Sequence, residues 1–133
     1  MEVIEIKQTQ KRLDINEAML IGSTITMACL NDSVFNDISA TNLKIVNANL
    51  SDLEIEGAQL GGAYIHNIGM PPADHPQYDP HVKQRPLRFE NCDLNSSTIS
   101  NCDLSDVAIS DCNIKGLRID GILVSELLAA YKG

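Results

Sequence analysis

Residues 74–81 read DHPQYDPH and set two carboxylates and two imidazoles within eight positions. Such groups can hold a divalent cation or pass a proton. The spacing matches no strong metal motif, however, so no metal and no cofactor are expected here. A His–Asp pair in this run is the one opening for catalysis. The chain has no nucleophile elbow, no phosphate-binding glycine loop and no HExxH, so a non-catalytic protein with no catalytic residues is expected. The run suits recognition better, and the binding candidates are Asp74, His75, Tyr78, Asp79 and His81, with the basic Lys83 and Arg85 after them. The plain alternatives are a structural loop and salt bridges from Lys83, Arg85 and Arg88 to acidic neighbours.

All five prolines, at 71, 72, 76, 80 and 86, fall in this stretch. Proline has no amide to give to a ladder, so residues 71–86 must leave any regular wall as a loop. A proline-stiffened loop on a rigid scaffold is where binding functions tend to sit.

The scaffold is written as a period of five. Residues 94, 99, 104, 109, 114, 119 and 124 are Leu, Ile, Leu, Ile, Ile, Ile and Val, and Phe89 stands one period earlier. Before the loop the row runs Ile15, Leu20, Ile25, Leu30, Phe35, Ala40, Ile45, Leu50, Ile55, Leu60 and Ile65. Small or apolar residues stand two places before each, and no charge interrupts either row. This period fits neither an α-helix nor a flat strand, and two inward residues in every five can line a regularly turning coil.

ANLSD at 48–52, CDLNS at 92–96 and CDLSD at 102–106 resemble the A(D/N)LXX motif of the pentapeptide-repeat family. The resemblance covers about residues 13–68 and 87–124. It implies a single all-β domain over residues 1–133, a right-handed quadrilateral parallel β-helix with repeats at 13–70 and 87–124, the loop at 71–86 and a short C-terminal helix at 125–131. Nearly five coils at about 4.8 Å each would make a rod roughly 23 Å long. Cys92 and Cys112 would stack on one inner wall with Cys102 opposite, as polarizable core fillers, while Cys29 lies outward.

The formal net charge is −8. On four walls, Asp14, Glu17, Asp37, Glu54, Glu56, Glu90 and Asp111 would share one face, and Asp32, Asp52, Asp103 and Asp106 its neighbour. Arg88 would be the one base among them. Family members linked to quinolone resistance are understood to imitate DNA, so the resemblance makes DNA gyrase, or another DNA-binding protein, an alternative partner to an unidentified protein bound through the loop. A purely structural protein is a further alternative. Direct nucleic-acid binding is disfavoured by the sign of the charge.

The ends complete the expectation. EVIEI at 2–6 alternates like a strand that covers the first coil or pairs with another chain. In VSELLAAYKG, Ser125 suits an N-cap, and Leu127, Leu128 and Tyr131 give the helix an apolar side, either as a lid or, as in the family, for a homodimer. Neither a secretory signal nor a membrane-length apolar run is present, so a cytoplasmic location without membrane contact is expected, and the family resemblance implies a bacterial one. Four Cys are then more naturally reduced thiols than disulfides.

Overall fold

The computed structural model describes residues 2–133. Its recurring local feature is a corner every five residues. The residue two places after each row member, from Glu17 to Asn67 and from Asn91 to Gly121, has positive φ at all 18 positions. L-residues enter this left-handed region at a cost of about 1–2 kcal/mol, which Gly avoids and Asn or Asp lessens. The sequence follows that rule, with Gly, Asn and Asp at five corners each and exceptions at Glu17, Met27 and Ser96.

The corners alternate between two kinds. Those starting at Leu20, Leu30, Leu50, Leu94, Leu104 and Ile114 close a hydrogen bond from the amide three residues on to the first carbonyl, at 3.0–3.2 Å. Positive φ falls only on the third residue, as in a type II turn. Those starting at Ile15, Ile25, Phe35, Ile45, Ile55, Ile65, Phe89, Ile99 and Ile109 are open bends centred on the residue two places on.

Four closed turns carry a second lock. Asn49, Asp93, Asp103 and Asn113 each accept, through the side-chain oxygen, the amide of the residue two places on, at 2.9–3.1 Å. This Asx-type bond explains the Asn or Asp just before the apolar residue. At the open bends the thiols act instead: Cys92, Cys102 and Cys112 donate S–H to the carbonyls of Glu90, Ser100 and Ser110 at 3.1–3.2 Å.

These corners do not build the expected quadrilateral β-helix. Among the described residues, β pairing is confined to two antiparallel two-residue strands, β1 Arg118–Ile119 and β2 Ile122–Leu123, with no parallel ladder between coils. No described residue forms a buried core, and the row members expected on the axis are exposed, from 47% at Leu50 to 70% at Ile99, except for the half-buried Ile114 and Val124 beside the hairpin and helix. The accessible surface of 14,888 Å² lies about midway between roughly 6,900 Å² for a compact chain of this mass and roughly 21,000 Å² for an unfolded one. The four cysteines are exposed thiols, not core fillers, and EVIEI pairs with nothing as a strand.

The correction has a physical basis. Each corner satisfies its groups locally, across three residues, whereas stacking coils must close twenty-residue intervals at an entropy of on the order of 3 kcal/mol each. Only about three residues separate successive corners, too short a strand to offset this by ladder bonds alone. The apolar rows mark a direction for the side chains without supplying the closure.

The chain divides into two units, Met1–Gly61 and Gly62–Gly133. The first holds corners from Glu17 to Gly57 and an exposed Lys7–Glu5 ion pair of 3.5 Å. The second holds the proline segment, the remaining corners, the hairpin and helix α1, Val124–Lys132.

In the hairpin, Arg118 pairs with Leu123 and Ile119 with Ile122. Asp120 and Gly121 both have positive φ, at 48° and 80°, the type I′ pattern that Asp-Gly favours. The Arg118 Nη1 donates to the Gly121 carbonyl at 2.9 Å. Helix α1 follows directly. Its N-cap is Leu123, without a side-chain bond, so Ser125 does not cap it; the Val124 amide instead reaches the Leu117 carbonyl at 3.0 Å. Glu126 in the first turn and Lys132 in the last complement the helix dipole. Among the described residues no helix is long and apolar enough to cross a membrane.

Two outcomes test this local code. Gly116 has φ of 77° with open space around a Cβ position, so Gly116→Ala adds backbone strain alone. Loss of about 1–2 kcal/mol from the corner raises exchange of the Leu117 amide by roughly 5–30-fold, while Asp106→Gly leaves the Val107 amide at least as protected. The second concerns Asp103, whose carboxyl is held below the ordinary aspartate range by the Ser105 hydroxyl and then by the Ser105 amide. A depressed carboxyl stabilises the turn above its unfolded value and stops doing so as pH falls through the lowered one. Carbon-detected NMR should therefore find Asp103 titrating low, with Ser105→Ala moving its midpoint up.

Candidate functional site

The segment 71–86 breaks the row because of its prolines. The corner after Met70 would fall on Pro72, whose ring locks φ near −65° and forbids the left-handed conformation. Three tight turns follow instead. The His75 amide donates to the Pro72 carbonyl at 2.9 Å, the Tyr78 amide to the His75 carbonyl at 3.0 Å, and the Val82 amide to the Asp79 carbonyl at 3.2 Å. Pro76 and Pro80 sit second in the latter two turns, where a fixed φ suits the bend.

Two candidate side chains brace these same turns. The His75 Nδ1 accepts the Gln77 amide at 3.0 Å, and the Asp79 Oδ1 accepts the His81 amide at 2.9 Å. His75 thus makes three bonds, through its amide, carbonyl and ring, and joins the first two turns. Acceptance at Nδ1 leaves the proton of the neutral ring on Nε2. Tyr78, at the end of the second turn, is 45% exposed and half presents its ring.

The structure thus brings His75, Tyr78, Asp79 and His81 into one run of linked turns, with Asp74 inside the first and Lys83 just after the last. Arg85 follows outside any turn, strand or helix. No group of three or more His, Cys, Asp or Glu among the described residues could hold a metal ion. Just before the segment, the Tyr64 and His66 rings stack with centroids 3.9 Å apart and planes 8° from parallel, and Asn67 Nδ2 lies 3.2 Å from His66 Nδ1.

The acidic candidates have a different explanation from the one their charge suggests. Glu17, Asp32, Asp37, Asp52, Asp106 and Asp111 are corner residues with positive φ. Asp14, Glu54 and Asp103 precede a row member, while Glu56 and Glu90 follow one. Seven belong to the first unit and four to the second. Glu90 and Asp111 line an open hollow between residues 88–91 and 108–112, where Arg88 Nε lies 3.7 Å from Glu90 Oε1. The four-wall grouping has no counterpart without stacked coils.

On α1, Leu127 and Leu128 are about half exposed and Tyr131 is 90% exposed. Two features escape a reading of the apolar rows alone. The Gly, Asn or Asp at 15 of the 18 corners was visible in the sequence as a second five-residue row, and Asp120-Gly121 was a hairpin signal. No family model matches the chain, and neither a curated protein nor a solved structure is similar to it.

Proposed function

We propose that this chain is a non-catalytic protein-binding module whose contact element is the segment 71–86, in keeping with the resemblance of its repeats to the pentapeptide-repeat family in sequence. The observation that carries the reading is the linked series of turns from Pro72 to Val82. A loop already bent by proline and side-chain locks loses less entropy on binding than a free one. Tyr78 supplies an apolar ring with a polar tip, and Lys83 and Arg85 supply positive charge five and seven residues on. The alternative DNA mimic, aimed at gyrase or another DNA-binding protein, rests on the net charge of −8. Five of its eleven acidic residues are Asp at left-handed corners, a residue type the corner itself favours, so their charge needs no partner to explain it.

A second copy of the chain is a further partner under this reading, through α1. Antiparallel pairing about Ala129 sets Leu127 opposite the other copy's Tyr131 and Leu128 opposite its Ala130. The same symmetry brings Glu126 to Lys132 at both ends.

The loop is tested by affinity capture with the intact chain and with residues 72–85 replaced by a short Gly/Ser linker. A partner held by the first and lost with the second supports the loop. Gyrase held equally by both transfers the function to the acidic residues. The helix pairing is tested by sedimentation, where the intact chain should run as a dimer and Tyr131→Glu as a monomer.

A further inference from the structure

The proline segment contains an acceptor that one proton removes. His75 Nδ1 accepts the Gln77 amide at 3.0 Å, inside a turn whose other bond runs from the Tyr78 amide to the His75 carbonyl at 3.0 Å. When the imidazole takes a proton, both ring nitrogens become donors. Nδ1–H then faces the Gln77 N–H, donor against donor, and the ring must turn away. We infer that the turn 75–78 is a proton-operated switch, locked while His75 is neutral and loosened when it is charged.

The surroundings favour that response. His75 is exposed, so water reaches the ring, and no packed core holds it in place. The charged side chains nearest in the chain are Asp74, immediately before it, and Asp79, four residues on. Each offers the imidazolium an acceptor that the Gln77 amide cannot. Asp79 is engaged with the His81 amide through Oδ1. The two turns that share His75 should loosen together, because the His75 amide also closes the first on the Pro72 carbonyl. Tyr78, the last residue of the second turn, changes its presentation as a result. This behaviour belongs to the loop itself and does not depend on any partner.

The third turn supplies an internal control. The His81 amide rests on the Asp79 carboxylate, an acceptor that a proton on His75 does not remove, so this turn should stay locked when His75 is charged. His66 supplies another, since its Nδ1 lies against the Asn67 side chain and not a turn amide.

The test is NMR of the intact chain from neutral to acid pH, following the ring nitrogens of His75 and the amides of Gln77 and His81. The Gln77 amide should shift and exchange about fivefold faster or more, matching the loss of one ordinary hydrogen bond, with the same midpoint as the His75 ring. The His81 amide should not move in that range. His75→Asn keeps an oxygen acceptor without a titrating group, so it should hold Gln77 protected and abolish the step. A Gln77 amide that ignores protonation of His75, or an equal step in His75→Asn, overturns the switch. Simultaneous movement of Gln77 and His81 also overturns it, since that is general acid loosening.

Discussion

The structure depends on one backbone constraint, a left-handed residue two places after each member of the apolar rows. A corner of this kind reverses the chain at fixed intervals whatever the side chains between corners do. It also selects residue types, because only Gly avoids the clash of a Cβ with the following carbonyl and only Asn and Asp commonly tolerate it. The fifteen corners filled by these three residues satisfy that rule, while Glu17, Met27 and Ser96 hold the same φ against it. Much of the acidic character of the chain follows from this choice. An Asp at a corner is first a backbone solution and only then a charge.

The second level is the alternation of closed and open corners, which gives the chain a period of ten inside its period of five. Leu starts five of the six closed turns that carry the hydrogen bond, and Ile or Phe starts the open bends. In residues 89–112, Asp93 and Asp103 lock closed turns, while Cys92, Cys102 and Cys112 satisfy carbonyls at open ones. The Cys–Asp–Leu box thus reads as the end of one corner and the start of the next. The thiol reaches back and the carboxylate reaches forward. Their ten-residue spacing needs neither a metal nor a disulfide to explain it.

The sequence was legible where a feature is local and ambiguous where it depends on distant segments. The five-residue rows, the proline segment and a C-terminal helix can all be read from short stretches, since each is decided within one or two turns. The stacking of coils is not of this kind. Rows of Leu and Ile say which way side chains lean along the chain, whereas burial at Leu50 or Ile99 needs residues twenty positions away to arrive and pair. Ser125 misled for a similar reason, because the chain enters α1 straight from a hairpin and the cap position falls on Leu123. At the candidate site, the prolines announced turns, but their identity did not reveal that His75 and Asp79 would spend their acceptors on the turns themselves.

The corner rule also explains why the candidate site lies where it does. Each row can continue only while the residue two places on can take positive φ, and after Met70 that residue is Pro72, which cannot. A single proline there would end the repeat; Pro76 and Pro80 then convert the interruption into defined bends by occupying the second position of two tight turns. The rows resume at Phe89, whose corner is Asn91, and stop again near Val124, where the corner would fall on Glu126 inside the helix. Between Pro72 and Val82 the chain is therefore free of the five-residue rule but not of order, because its own side chains supply the locks. That combination places groups with acid–base chemistry, His75 and Asp79, under the control of a few short hydrogen bonds. A change of one proton can then alter the shape of the segment without disturbing the corners on either side.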